Sequence, residues 1–224
     1  MPLVQPTQGL APEPSPNCPI CPRLVAFRAT NRAAHPDWFN GAVPSFGSDT
    51  APLLIVGLAP GLKGANRTGR PFLGDYAGEL LYRTLLKVGL ARGHHDPAAP
   101  DALHLVDCMI TNAVRCVPPV NKPTPSEIAH CRQFLEARIA ALPALRVILA
   151  LGRIAHDSTL DVLQLKRRLY PFAHGARHEL VTGQVLFDSY HCSRQNTNTG
   201  RLTTPMFEAV LAGIVDELGG AKRR

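Results

Sequence analysis

Short apolar runs recur along the chain, and helical patterns lie between and after them. Glu79–Val88 places leucine and valine residues at helical spacing and stops at Gly89, and Pro205–Leu218 repeats this pattern after Thr204, its expected N-cap. Four runs bounded by polar, glycine or proline residues predict buried strands: Leu53–Leu58, Leu103–Ile110, Val147–Leu151 and Val185–Ser189. Strands that alternate with helices predict an α/β fold whose mainly parallel sheet carries helices on both faces.

A third helix is predicted by a capping box. Thr124 and Glu127 stand three residues apart, and Pro125 occupies the first helical position between them. The apolar residues that follow recur at helical spacing and include Cys131. We therefore expect the side chain of Cys131 to face inward.

The placement of the cysteines suggests a site with four thiolate ligands. Cys18 and Cys21 form a tight C-P-I-C pair, and Cys116 and Cys131 form a wider pair further along the chain. Four thiolates suit either a structural zinc ion or an iron–sulfur cluster, and the spacing alone does not decide between them.

Arginine dominates the positive charge of the chain. There are 24 lysine and arginine residues against 17 acidic residues, a net charge of +7, yet only five of the basic residues are lysine. This excess suits either a surface that binds a polyanion or a composition rich in arginine with no partner implied.

No segment looks like a membrane anchor or a signal peptide. The longest apolar stretch, residues 140–151, is interrupted by Pro143 and Arg146 and is shorter than a membrane span. The first seventeen residues have neither a basic start nor an apolar block. We expect a cytoplasmic protein that does not contact membranes.

Polar loops follow the predicted strands, at the sheet edge where α/β proteins bind ligands. The first loop, residues 57–75, is rich in glycine and basic residues and suits an anionic ligand, although an ordinary connection would look similar. Asp75 ends it just before a helix, where an N-cap role is the alternative. Asn121 lies between prolines and suits either a turn or contact with a nucleobase edge. His191 follows the last strand, ahead of amide and arginine side chains.

Together these loops resemble family 5 of the uracil-DNA glycosylase superfamily, the iron–sulfur class B enzymes of bacteria and archaea. The resemblance extends in family order over residues 18–201, which is most of the chain. Five segments carry it: Gly57–Gly61 (GLAPG), Gly69–Asp75 (GRPFLGD), Thr111–Cys116 (TNAVRC), Asn121–Pro125 (NKPTP) and His191–Ser193 (HCS).

The resemblance implies a three-layer fold with a central four-stranded, mainly parallel sheet flanked by helices. We expect a single domain over residues 1–224, with a loose arm at 1–17 and a basic tail at 219–224. The resemblance also implies a [4Fe–4S] cluster with four ligands: Cys18, Cys21, Cys116 and Cys131.

It further implies roles for individual side chains. Phe72 would stack on a flipped base, Asn121 would bind the edge of that base, and His191 would stabilise the departing base anion. Related enzymes carry a carboxylate in the first motif, where this chain has Leu58 and Ala59, so Asp75 is the available substitute. The remaining expected contacts are Gly57 and Ala59 with the base, and Lys63, Arg67, Arg194, Gln195 and Asn196 with DNA.

The expected activity is that of a monofunctional DNA glycosylase. It would excise uracil, and other deaminated bases such as hypoxanthine, and leave an abasic site. The expected partner is double-stranded DNA containing deaminated bases, with single-stranded DNA as a second candidate, and the expected state is a monomer. One alternative is an iron–sulfur protein that binds nucleic acid or senses redox state and cuts no bond. Another is a nucleotide hydrolase stabilised by zinc.

Overall fold

The computed structural model describes residues 12–97, 99 and 102–219. Within this part of the chain, the strands are β1 (Phe46–Gly47), β2 (Leu53–Gly57), β3 (Ala91–Gly93), β4 (Leu103–Leu105), β5 (Cys108–Asn112), β6 (Val147–Leu151), β7 (Arg177–Glu179) and β8 (Val185–Ser189). The helices are α1 (Pro22–Ala34), α2 (Ala65–Thr68), α3 (Tyr76–Lys87), α4 (Pro125–Ala140), α5 (Arg153–Val162), α6 (Arg194–Asn198) and α7 (Thr204–Glu217). Short 3-10 turns lie at Pro119–Asn121 and Arg167–Leu169. None of the described helices is both long and apolar enough to cross a membrane.

Four parallel strands form the centre of the main sheet. The sheet has the order β1-β5-β2-β6-β8-β7, in which β5, β2, β6 and β8 run parallel. The short strands β1 and β7 extend it in antiparallel pairs at its two edges. The parallel centre confirms the predicted fold class, and β3 and β4 form a separate hairpin.

Alternation along the central strands divides the core into two layers. Leu53 and Ile55 of β2 pack on one face of the sheet with α3 and α7. Leu54 and Val56 pack on the other face with α4 and α5. Every residue of β2, β5 and β6 is buried, as expected for strands covered on both sides.

The prediction of one continuous strand over Leu103–Ile110 is wrong, because the structure has two strands there. The segment divides into β4 and β5 because Asp107, between them, has a φ of 52° and cannot continue an extended strand. The first predicted strand ends at Gly57, one residue early. The other two strands have the predicted bounds.

The predicted helices form with small changes at their ends. The capping box of α4 is present, with the Thr124 hydroxyl accepting from Glu127 N. α3 begins at Tyr76 rather than Glu79, and the N-cap of α7 is Thr203 rather than Thr204. Apolar spacing missed α1 and α5, because their buried faces include polar side chains such as Arg28 in α1 and His156 in α5.

Part of the expected N-terminal arm lies outside the described residues, as does most of the tail. Residues 1–11 and 220–224 belong to this excluded part. Within the described part of the arm, the Glu13 carboxylate pairs with the buried guanidinium groups of Arg115, at 2.9 Å, and Arg138, at 2.6 Å. These ion pairs attach the chain at residue 13 to the loop after β5 and to α4.

A buried contact between His156 and Asp188 connects α5 to the sheet. His156 and Asp188 are both fully buried, and His156 Nδ1 lies 2.7 Å from Asp188 Oδ1. The other ring nitrogen, Nε2, lies 2.9 Å from the Tyr170 carbonyl oxygen. Each ring nitrogen therefore faces an oxygen, one on the side chain of β8 and one on the backbone at Tyr170. His178 Nε2 lies 3.2 Å from the second carboxylate oxygen.

We expect His156→Ala to lower the free energy of unfolding by about 1–3 kcal/mol, because it leaves the buried Asp188 Oδ1 without its hydrogen-bond partner. Urea denaturation followed by circular dichroism measures this loss. The control is Asp157→Asn, which breaks an adjacent pair with the half-exposed Arg167 and should cost less than about 1 kcal/mol. Equal losses in the two variants would contradict this account of the pair.

Candidate active site

One cleft of about 630 Å³ opens where the parallel strands end. Its walls come from the loops that follow β2, β5, β6 and β8, and from the starts of α3, α5 and α6. Because parallel strands end at the same sheet edge, loops distant in sequence meet there. Predicted site residues on its walls are Ala59, Phe72, Asp75, Asn121, His191, Arg194 and Gln195.

Phe72 presents its ring from an unusual backbone conformation. Its φ is 62°, a left-handed value that an aromatic residue seldom adopts. The neighbouring Pro71 carbonyl accepts a hydrogen bond from the buried Tyr82 hydroxyl at 2.5 Å, which holds the turn. The ring stacks near His191, with 6.0 Å between the ring centroids. The strained turn therefore fixes an aromatic face in the cleft.

Asn112 is a site residue that the sequence analysis placed in a motif but gave no role. It ends β5, is only 2% exposed, and lines the cleft. Its Oδ1 is buried and has no hydrogen-bond partner in the structure. An unpaired buried acceptor is costly unless a ligand supplies a donor. The sequence feature that could have identified Asn112 is its position as the polar last residue of a buried strand.

Gly57 lies behind the cleft wall instead of lining it. A Cβ at this position would overlap both Asn112 Oδ1 and the Phe72 ring. The glycine therefore allows the aromatic face and the amide oxygen to approach the same strand end.

The Asp75 carboxylate occupies a cradle formed by two glycines. Side chains at Gly61 or Gly64 would overlap it. The Ala65 N–H donates to Asp75 Oδ2 at 3.3 Å. Burial raises the pKa of Asp75, although the amides of Ala65 and Gly61 and the charge of Arg67 oppose that rise. Asp75 precedes α3 but forms no side-chain cap, so its carboxylate is held by the glycine loop instead.

His191 lies across the cleft at the end of β8. Burial lowers the pKa of His191 to about 4, so its imidazole is neutral at physiological pH. A neutral ring can donate one hydrogen bond and keep its proton. The adjacent Cys192 is fully buried, and this burial raises the pKa of its thiol to about 12. Cys192 therefore stays protonated and is a poor nucleophile.

Asn121 is on the open rim of the cleft rather than at its base. Val120 and Asn121 both have left-handed backbones, with φ values of 50° and 56°. Val120 is 82% exposed, which is unusual for a branched apolar side chain. The loop thus presents Val120 and an exposed amide outward, whereas Asn112 faces the interior.

The predicted DNA-binding residues fall into two groups. Lys63 and Arg67 are exposed on the glycine-rich loop but are not on the cleft wall. Arg194 and Gln195 are exposed on α6 at the rim. Asn196 turns inward, and its Nδ2 donates to the His191 carbonyl at 2.8 Å.

The four expected metal ligands surround a separate pocket lined by Cys18, Cys21, Cys116 and Cys131. Arg28 donates to Cys116 Sγ at 3.0 Å, and the Arg115 N–H lies 3.2 Å from Cys131 Sγ. Among the described residues, a different cluster of potential metal ligands is tighter. The donor atoms of His156, His178 and Asp188 all lie within 4.8 Å of one another. The four thiols are spread more widely than that.

The cleft therefore combines four chemical features. Phe72 provides a flat apolar face, Asn112 an unpaired acceptor, Asp75 a carboxylate and His191 a neutral donor. Such a set can hold a planar ring by its face and edge. It can also stabilise opposite charges that develop as a bond to that ring breaks.

Comparison with known proteins gives consistent matches. The family model described as the uracil DNA glycosylase superfamily matches residues 44–214. A type-5 uracil-DNA glycosylase of Thermus thermophilus is 47% identical over 200 residues, covering 87% of this chain and 90% of that protein. One from Mycobacterium tuberculosis is 40% identical over 211 residues, covering 88% and 79%. A type-4 uracil-DNA glycosylase of Archaeoglobus fulgidus is 34% identical over 125 residues, covering 55% of each chain.

We expect Gly61→Ala to lower the pKa of Asp75 toward the ordinary aspartate value, because the new methyl group forces the carboxylate out of its cradle and into water. Carbon-13 NMR of the labelled carboxyl group measures this titration. The control is Gly213→Ala, whose Cβ would meet its nearest neighbour, the Phe187 ring, at an ordinary 3.5 Å. An unchanged Asp75 titration in Gly61→Ala would show that the glycine does not hold the carboxylate.

Proposed function

This chain belongs to the uracil-DNA glycosylase superfamily and, within it, to the type-5 enzymes, and we propose that it excises uracil from DNA by hydrolysing the N-glycosidic bond. The product is an abasic site, which subsequent steps of DNA repair must process. The observation that carries the proposal is the cleft in which Phe72, Asn112, Asp75 and His191 meet. A base inside a duplex cannot reach this cleft, so the target nucleotide must leave the stack.

The flipped base stacks on Phe72 and is read at its edge by Asn112. The unpartnered Asn112 Oδ1 needs an N–H donor. Uracil offers a ring N–H beside a carbonyl, whereas cytosine has an acceptor at the same ring position. Hypoxanthine differs from adenine in the same way, so this acceptor favours each of these deaminated bases over the base from which it forms. Asn121, at the rim, contacts the nucleotide from its open side.

Asp75 and His191 divide the charge that forms as the bond breaks. Cleavage of the glycosidic bond leaves positive charge on the sugar and negative charge on the base. The Asp75 carboxylate stabilises the sugar cation and orients the attacking water. His191, neutral and already carrying one N–H, donates a hydrogen bond to the base anion. This division needs no carboxylate in the first motif, where Ala59 lines the cleft.

Basic and amide side chains around the cleft hold the DNA. Arg194 and Gln195, exposed on α6, enter the space left by the flipped base. Lys63 and Arg67, on the exposed loop, bind backbone phosphates. The substrate is double-stranded DNA, and single-stranded DNA is a second substrate because its bases need no unpairing.

We also infer that Cys18, Cys21, Cys116 and Cys131 hold a [4Fe–4S] cluster. Zinc would draw its thiolates to within about 3.8 Å of one another, since each Zn–S bond is about 2.3 Å. The wider spread of these four thiols suits a larger group. The N–H groups of Arg28 and Arg115 that face Cys116 and Cys131 stabilise thiolate ligands. Cys18 and Cys21 before α1, Cys116 in the loop after β5 and Cys131 in α4 would hold the cluster, which would supply a structural link between these segments.

A duplex carrying a single uracil opposite guanine tests the proposed activity. Alkali cleaves abasic sites, so strand scission after incubation reports base excision by the protein. We expect Asp75→Asn and His191→Ala each to slow single-turnover excision by about 10²-fold or more, because each removes charge stabilisation from the transition state. Both variants should bind the duplex as the wild type does.

Two outcomes would contradict the proposal. Loss of DNA binding together with excision in Asp75→Asn would assign Asp75 a structural role instead. A wild-type protein that binds DNA but releases no base from uracil or hypoxanthine duplexes would favour the binding or redox-sensing alternative.

We expect Cys131→Ser to lose bound iron and the brown absorbance of the cluster, because it removes one of four ligands. Iron and sulfide analysis should give about four of each per wild-type chain. The control is Cys108→Ser, which alters a buried cysteine of the main core, outside the ligand pocket, and should keep its iron. Zinc in place of iron in the wild type would contradict the cluster assignment.

A further inference from the structure

We propose that Tyr76 is a positioning residue that fastens α6 beside Asp75, so that the helix keeps its place when it fills the gap in a duplex. This inference rests on the proposed function. It assigns a role to a side chain that lies outside the expected site motifs.

Tyr76 contacts most of α6 with one side chain. The Thr197 hydroxyl donates to the Tyr76 hydroxyl at 3.4 Å, and the Tyr76 hydroxyl donates to Asn198 Oδ1 at 3.3 Å. The guanidinium of Arg194 lies over the Tyr76 ring, 4.8 Å from its centroid. Three of the five residues of α6 therefore meet the same aromatic side chain.

The helix needs such support because it is too short to be stable alone. Five residues form barely more than one turn, and isolated helices of this length do not persist in water. None of the residues of α6 is buried, so no apolar core holds it. On its other side, α6 is attached through Asn196, whose Nδ2 donates to the His191 carbonyl and whose own carbonyl accepts from Leu202 N at 3.0 Å.

The position of Tyr76 connects α6 to the catalytic carboxylate. Tyr76 follows Asp75 directly and is the first residue of α3. Its side chain lines both the cleft and a neighbouring groove between α3 and α7, and it is 44% exposed. Its contacts therefore hold α6 against the first turn of α3, while Asn196 holds it against His191.

This arrangement matters more for a duplex than for a single strand. In a duplex, α6 must occupy the gap left by the flipped base against the tendency of that base to return. A single strand has no partner strand and no stacked gap to fill. Loss of the Tyr76 contacts should therefore slow excision from duplex DNA and spare excision from single-stranded DNA, whereas a general folding defect would slow both.

Single-turnover excision from matched single- and double-stranded oligonucleotides, each with one uracil, tests the inference. We expect Tyr76→Ala to slow duplex excision by about tenfold or more, from two lost hydrogen bonds and one lost cation–π contact, and to change the single-strand rate by less than about twofold. Tyr76→Phe keeps the ring and should show a smaller, duplex-specific loss. The control is Glu79→Gln on the next turn of α3, which should leave both rates unchanged.

A second measurement follows base flipping without chemistry. The fluorescence of 2-aminopurine placed next to the uracil rises when the neighbouring base leaves the stack, and Tyr76→Ala should reduce this rise in duplex DNA. Asn198→Ala in the Tyr76→Phe background should add little further loss, because the two side chains share one hydrogen bond.

The outcomes separate this inference from the proposed function. Equal losses on the two substrates, or no loss on the duplex, would overturn the role of Tyr76. Absence of excision by the wild type on every uracil substrate would instead overturn the proposed function. The fluorescence measurement would then still decide whether Tyr76 supports flipping, and an unchanged signal in Tyr76→Ala would refute it.

Discussion

The parallel alignment of four buried strands is the constraint on which the site depends. Since β5, β2, β6 and β8 point the same way, their last residues and the loops that follow converge on one edge of the sheet. Asn112 is the last residue of β5, His191 lies two residues after the end of β8, and Asp75 reaches the cleft through the long loop after β2. The rigidity of the sheet thus sets distances between groups that are remote in sequence.

Close packing, rather than hydrogen bonding alone, keeps the polar groups of the site in place. Gly57 makes room for Asn112 and Phe72, and Gly61 makes room for Asp75. In each case a missing side chain allows a functional group to be buried against backbone. The cost of burying these groups appears as an unpaired oxygen on Asn112 and a raised pKa on Asp75. A substrate that donates a hydrogen bond to the Asn112 oxygen and interacts with the Asp75 carboxylate would recover part of that free-energy cost.

Much of the fold was readable from the sequence because β2 and β6 are uniformly apolar and α4 carries a complete capping box. The break at Asp107 was not, since it depends on a backbone conformation set by tertiary packing. α1 escaped detection because its buried face contains Arg28 and Asn31, which hydropathy assigns to solvent.

The same limits apply to the site. Motifs brought attention to Asp75, Phe72 and His191, which the structure groups around one cleft, while their chemical roles stay predictions. Asn112 could not be told from an ordinary strand end without the geometry that leaves its oxygen unpaired. The polar buried face of α1 also determines how this helix is attached to the rest of the chain. Arg28 Nε and Asn31 Nδ2 are buried without partners, and Leu24 is the apolar residue that α1 buries. Polar contacts attach this helix instead, such as the ion pair of Arg23 with Glu127 of α4 at 2.8 Å and the hydrogen bond from Arg28 to Cys116 Sγ. If the proposed cluster is held by Cys18 and Cys21 at the start of α1, its loss would loosen this helix before the sheet unfolds. Insertion of the proposed cluster would then be visible as a change in protease sensitivity within α1.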